Sequence, residues 1–325
     1  MISLDPISTK IISAKKVHHD KLFSIVKQRV NALPVSELKT FLADWRISAV
    51  LTDPPEFLEE HHNDLLDYLT PYSLVDWIEF LRIKGIRLSN RTYGEQNLFD
   101  QYNSLVNDIS SIFKYTGGFA RKDSVYSAYD LAESLDMQTC TYCNRIYTKT
   151  VRNPSKITRP EFDHWFPKET YPILALSFYN LIPSCHVCNS SVKGNTRMNL
   201  GDYIHPYVDS DLKYKFSYRI NKYNAYKFKI DRVAGSKEDA TIKAFKLEEI
   251  YATHEDEIED LVRLRKLYST SYLIQLKKLL AKTGQAVSME ELYRLAFGTY
   301  INEVDFHKRP LSKMKKDILK ELNII

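Results

Sequence analysis

All four cysteines of the chain fall in two CxxC pairs, Cys140/Cys143 and Cys185/Cys188, with 41 residues between the pairs. Four thiolates in two tight turns are the ligand set of a structural zinc site, and four sulfurs leave no open position for a substrate. The zinc expected here is a staple, contributing on the order of 10 kcal/mol by coupling metal binding to folding. Between the pairs lie Asp163-His164 and an isolated Asn180, and Asn189 follows directly on the last cysteine. Asp163 offers a hard oxygen and Asn189 a carbonyl oxygen, both suited to Mg²⁺ or Mn²⁺. If Asp163 and His164 end a strand, their side chains diverge, so one can bind a metal while the other faces water. A histidine with a pKa of about 6.5 is the natural base to activate that water. Asn189 is expected to start the helix after the second knuckle.

The pattern DH…N…CxxCN with its flanking CxxC pairs resembles the HNH (ββα-metal) endonuclease family in its zinc-bound branch. The resemblance covers residues 140–195, under a fifth of the chain. It implies His164 as general base and Asp163 as metal-ligating acid. It further implies Asn180 as the brace of the hairpin loop and Asn189 as second ligand of the catalytic ion. Lys193 matches a basic position near the substrate phosphate, and Arg145 is expected to join it there. The segment KETYPILALSFYNLIPS, between the Asp-His pair and the second knuckle, is longer than in the shortest members. The implied activity is hydrolysis of a phosphodiester with one divalent ion, on DNA before RNA. Bacterial proteins of this kind with helical flanks are often anti-phage defence or restriction effectors, some with an ATPase partner. A zinc-stapled module that grips nucleic acid or protein without cutting shares the cysteines, and differs over Asp163, His164 and Asn189.

Charge placement agrees with a polyanionic partner. Residues 140–200 carry eight basic side chains (Arg145, Lys149, Arg152, Lys156, Arg159, Lys168, Lys193, Arg197) against three acidic ones, a surplus equal to the +5 of the whole chain. Clustered positive charge is what binds phosphate backbones.

The elements that must position these residues read as α+β, mostly helical. Residues 1–130 form a helical lobe and candidate docking surface, 131–210 the zinc-stapled core, and 211–325 a β-hairpin with further helices. In the first lobe, SELKTFLADWRI, EFLEEHHNDLLDYL and SLVDWIEFLRIK repeat apolar residues at helical spacing, with Trp45 and Trp77 as packing residues. EQNLFDQYNSLVNDISSIFKY is expected to stop at Gly117-Gly118. The pairs His18-His19 and His61-His62 splay apart on a helix and read as surface histidines. Residues 212–231 alternate, with Tyr214, Phe216 and Tyr218 opposing Lys213, Lys215 and Arg219, which predicts a hairpin with one apolar and one basic face. One long helix is expected from Ile258 past Leu279 to Gly284, then shorter ones at 288–297 and 312–322, with the basic tail HKRPLSKMKKD as a phosphate contact or solvated helix end. His186 reads as an exposed turn residue, and His205 and His254 have no evident partner. No apolar run approaches the ~18 residues of a membrane span, and no secretory leader is evident. A cytoplasmic location is therefore expected, where CxxC pairs hold metal in preference to forming disulfides.

Overall fold

The computed structural model describes the chain apart from Pro154, Lys156, Asn195, Thr283 and Gln285 and the side chain of Thr270. Lys156, counted among the basic residues, and Asn195, the last residue of the central stretch, thus lie outside the described residues. The chain is mostly helical with two small two-stranded sheets. No helix among the described residues is long and apolar enough to cross a membrane.

The first half is built on α1 (Thr9–Asn31), whose start is capped by the Ser8 hydroxyl accepting from the Ile11 N–H. Its buried stripe is Ile11, Ala14, His18, Leu22, Val26 and Val30, and α3 (Asp44–Thr52) and α7 (Ala128–Leu135) pack beside it. The helix expected across residues 36–47 is broken. α2 (Glu37–Phe41) ends at Leu42, whose ψ of 46° leaves the helical region, and α3 restarts at Asp44. The break resets the phase. Ile47, Val50 and Leu51 take the inward positions, and Trp45 turns out to solvent with the Arg46 guanidinium 4.4 Å from its ring. Trp77, on α5 (Leu74–Lys84), is buried as expected. α4 (Pro55–Tyr68) opens on Pro55, whose missing N–H costs nothing at a helix start. α6 (Tyr93–Ile112) is held by a Thr92/Glu95 capping box and ends at Phe113, before the glycine pair, which lies in one wide turn at Tyr115–Phe119.

The paired histidines depart from expectation. His18, His61 and His62 are buried. His18 donates from Nε2 to the Leu176 carbonyl at 2.8 Å and meets the Tyr126 hydroxyl at 3.2 Å through Nδ1. His61 reaches Asp53 at 2.9 Å, and the His62 ring sits edge-on to Trp77 and Tyr171. Spacing explains this. His18 falls four residues after Ala14 and four before Leu22, and His62 four after Leu58, so both lie on apolar stripes.

In the centre, β1 (Glu161–His164) pairs antiparallel with β2 (Leu181–Ser184), placing Asp163 opposite Ile182 and His164 opposite Leu181. A short helix, Val187–Lys193, follows at once. β3 (Lys215–Ile220) and β4 (Tyr226–Asp231) form the expected hairpin, with Phe216 opposite Ile230 and Tyr218 opposite Phe228. Its second face is not left to solvent throughout: Ser217 is buried and bonds Glu321 of α13 (Ser312–Glu321), the last helix. The intervening helices are α8 (Lys237–Ala244), α9 (Leu247–Tyr251), α10 (Glu255–Leu267), α11 (Thr270–Lys282) and α12 (Met289–Phe297). The long helix expected across Tyr268 is therefore two, because Tyr268 leaves helical geometry at ψ 82° and stacks on Tyr272. The basic tail is turned inward: Lys313 is buried against the Tyr214 ring and paired with Asp317, and Lys316 pairs with Glu303.

Both ends of the chain grip the central stretch. The Ile2 N–H bonds the Thr141 carbonyl at 2.9 Å, Leu4 that of Pro206 at 2.8 Å, and Leu311 that of Asn144 at 2.6 Å. Asn144, fully buried in left-handed geometry (φ 47°), donates from Nδ2 to Thr139 Oγ1 and to the Phe306 and Arg309 carbonyls.

Burial also pushes imidazoles down, His18 to about 4 and His62 and His205 to about 3. Below pH 6.5 the unfolded chain takes up protons at these positions and the folded one does not. Their contribution is therefore intact above pH 6.5 and drains away as pH falls toward 4. Denaturant midpoints measured from pH 7 to pH 4 should fall steadily, and His62→Phe should flatten that slope.

Candidate metal centre and cleft

The first knuckle is a turn closed by the Asn144 N–H on the Cys140 carbonyl at 2.8 Å. The second begins where β2 ends, with Cys185 just before the helix Val187–Lys193 and Cys188 in its first turn. All four cysteines are buried, and their sulfurs lie within 4.8 Å of one another, with Cys143 and Cys185 Sγ 4.0 Å apart. Zinc–sulfur bonds of 2.3 Å in a tetrahedron set sulfurs about 3.8 Å apart. The Arg145 N–H points at Cys143 Sγ from 3.4 Å, a contact suited to a thiolate. Burial drives the Cys140 thiol well up, so four thiolates in this space need a cation among them. The donor set and spacing fit a zinc ion, with Cys140, Cys143, Cys185 and Cys188 as its ligands.

Strand alternation separates the other side chains. Glu161 and Asp163 face the short helix, and His164 faces the opposite way. The His164 ring lies edge-on to Tyr115 at 4.4 Å, and its Nε2 is 3.0 Å from the Ala175 carbonyl. A carbonyl only accepts, so Nε2 carries the hydrogen and Nδ1 the lone pair. Nδ1 has no hydrogen-bond partner among the described residues. Burial, with Lys168 nearby, lowers this imidazole to about 3, so it is neutral at pH 7.

The loop that carries Ala175 is held by Asn180. Its Oδ1 accepts from the Phe166 N–H at 2.7 Å, and its Nδ2 donates to the Phe166 and Leu174 carbonyls at 3.1 and 3.0 Å. The lengthened segment packs as short tight turns, buried from Pro172 to Asn180. The first half of the chain supports it through His18 on Leu176, and through Ser177, whose hydroxyl donates to the Val50 carbonyl.

Asp163 is buried. Its Oδ2 accepts from the Tyr142 hydroxyl at 2.5 Å and its Oδ1 from Lys193 Nζ at 3.1 Å. Burial raises its pKa, and Lys193 pulls the other way. Lys193 also donates to the His164 carbonyl at 2.9 Å and is itself buried. Expected beside a phosphate, it is instead the internal counterion of Asp163. Arg145 is likewise not on the cleft wall: it belongs to the first knuckle, where its charge bears on His254. Asn189 is half-buried and donates from Nδ2 to Glu161 Oε2 at 2.7 Å. Glu161 also takes Ser190 Oγ at 3.4 Å and His186 Nδ1 at 2.9 Å. Burial works against ionisation of Glu161, but Asn189 and His186 outweigh it and hold the carboxyl below its usual value.

A cleft of about 590 Å³ gathers Glu161, Asp163, His164 and Asn189 on its wall, with Tyr115, Arg159, Lys168 and Glu169. Sequence reasoning passed over Glu161, Arg159 and Lys168 at this place. Glu161 carried a signal, since it lies two residues before Asp163 and so shares its strand face. The Ala175 carbonyl carried none, because any residue has one.

A buried four-cysteine cluster that fits zinc, beside a strand pair and short helix, is the class of site defined. No family model matches the chain, and no solved structure matches it. Over 71 residues it is 35% identical to Septu protein PtuB of Bacillus thuringiensis, covering 22% of this chain and 25% of that protein. The chain thus spans about a quarter of the length of the curated relative it matches.

Two expectations follow. Purified protein should contain one zinc per chain by elemental analysis, and Cys185→Ser should lose it together with cooperative unfolding. Lys193→Met leaves a buried carboxylate without its cation and should cost about 3–5 kcal/mol in denaturant titration, far more than a surface phosphate contact would.

Proposed function

We propose that the chain is a divalent-metal-dependent endonuclease of HNH type that hydrolyses nucleic-acid phosphodiester bonds, DNA before RNA. One observation carries the reading. A neutral imidazole with an unpartnered Nδ1 shares a cleft with an acidic oxygen donor, Asp163, and an amide oxygen donor, Asn189. His164 Nδ1 accepts the proton of the attacking water, and the Ala175 carbonyl on Nε2 stabilises the imidazolium that forms. Asn180 keeps that carbonyl in place.

Asp163 and Asn189 would hold Mg²⁺ or Mn²⁺, which supplies charge to offset the phosphorane and the leaving oxygen. The cleft wall carries the carboxylates Glu161, Asp163 and Glu169 with the cations Arg159 and Lys168, and Lys193 behind it pairs with Asp163. Arg159 and Lys168, in place of Lys193 and Arg145, are the substrate-phosphate contacts. Both come from the basic surplus of the central stretch.

The likeness to Septu protein PtuB is consistent with a defence role, and we assign the nuclease to anti-phage defence on that ground and on the HNH resemblance. An ATPase partner, as the resemblance implies, would dock on the helical region 1–130. The rival, a zinc module that binds without cutting, leaves the unpartnered imidazole nitrogen in the cleft unexplained.

Supercoiled plasmid and a structured RNA, each incubated with Mg²⁺ or Mn²⁺, test both substrate and chemistry. Cleavage of DNA that falls about 10²–10⁴-fold in His164→Ala, with zinc content unchanged, is the expected result. Undiminished cutting by that variant, or none by wild type on either substrate, refutes the reading. Lys168→Ala and Arg159→Ala should raise KM, whereas Arg145→Ala should leave it alone.

A further inference from the structure

We infer that Glu161 is a positioning residue for the divalent ion: its carboxylate takes the amide hydrogens of Asn189 and thereby turns Asn189 Oδ1 toward the metal. The inference rests on the nuclease reading and adds to it a residue outside the DH…N…CxxCN pattern.

The two ends of an asparagine amide are nearly equal in size, and its last torsion is broad. Only one end, Oδ1, can ligate a cation; the NH₂ end repels it. A carboxylate has no hydrogen to give, so the end of Asn189 that faces Glu161 has to be Nδ2, as the 2.7 Å contact has it. Oδ1 is thereby turned away from Glu161. The same contact withdraws electron density from the N–H bond toward the carbonyl, which makes Oδ1 the better ligand. This is the part that hydrogen-bonded carboxylates play behind metal ligands generally.

Glu161 is itself held from swinging away. His186 Nδ1 lies 2.9 Å from Oε1, and the Ser190 hydroxyl 3.4 Å from Oε2. His186 and Ser190 flank the knuckle cysteine and the ligand asparagine, so the second knuckle and the first strand residue interlock through this one carboxylate. No lysine or arginine pairs with Glu161 among the described residues; its salt-bridge partner is the exposed His186. His186, expected as a bare turn residue, is its second support.

Binding of Mn²⁺ to the zinc-loaded full chain, followed by the electron paramagnetic resonance of free Mn²⁺, reads the site without any substrate. Glu161→Gln should weaken binding about tenfold, with zinc content as in wild type. In the E161Q/N189D double variant the donor and acceptor exchange places: the amide at 161 donates, the carboxylate at 189 accepts, and an oxygen again faces the ion at the same total charge. Binding should return to near the wild-type value, recovering most of the roughly tenfold loss. Wild-type affinity in E161Q overturns the inference. So does a loss in E161Q that the double variant fails to recover, since Glu161 would then act without Asn189. Wild type that binds no Mn²⁺ refutes the nuclease reading itself, an outcome separate from either.

Discussion

Four buried thiols brought within 4.8 Å of one another are the constraint on which the centre of this molecule depends. Burial disfavours each thiolate and proximity disfavours several together, so the arrangement is tolerable only around a cation. Once made, it joins parts that have little reason to stay together. The helix carrying Asn189 has seven residues, with a wide last turn in which the Gly194 N–H bonds the Asn189 carbonyl, and a helix so short does not persist alone. Two cysteines at its start, and a glycine at φ 49° after its end, fix its length and direction. The first knuckle is tied in turn to β2 through the Thr141 N–H on the Pro183 carbonyl, and to the end of the chain through Asn144. Removing the ion would therefore loosen the strand pair and the last helix together.

The imidazole depends on a different support. His164 points away from the sulfur cluster, and its orientation comes from a carbonyl on the long loop between the strands. That loop is closed from within by Asn180 and from outside by α1 and α3. Successive carbonyls, Ala175 and Leu176, each accept from a histidine, one in β1 and one in α1. The first 130 residues thus act as scaffold for the His164 imidazole, which accounts for burying His18 at the expense of its basicity.

Legibility in the sequence followed how local each cause was. The cysteine pairs, the divergence of Asp163 and His164 and the alternation of the hairpin all depend on spacing within a few residues, and all appear in the fold. Trp45 and Tyr268 mark the opposite case. An apolar stripe continues straight through both positions, and only tertiary packing decides that the helix stops and changes phase there. His62 lies on the same apolar periodicity as Leu58, but the pairs His18-His19 and His61-His62 read as splayed surface residues, and one member of a splayed pair can still face the core. Lys193 was unreadable in a further sense. A lysine in a polar, basic segment reads as exposed unless a buried carboxylate awaits it, and that carboxylate lies 30 residues away across a strand.

Lys193 also bears on how the carboxylates divide their work. A buried aspartate without a partner would protonate before it bound anything, since desolvation favours its neutral form. The ammonium of Lys193 and the hydroxyl of Tyr142 pull against that protonation at Asp163 and fix both of its oxygens, one donor to each. A carboxylate has lone-pair positions for about four contacts, so two remain for a cation. Glu161, half-exposed, needs no such counterion, and its neighbours are an amide, a hydroxyl and an imidazole. One acid is thus paired with a buried lysine, and the other with the amide of Asn189 and the imidazole of His186. Both oxygen donors on the cleft wall are then oriented by protein contacts alone, so under the proposed nuclease reading little reorganisation would be left for a cation and a phosphate.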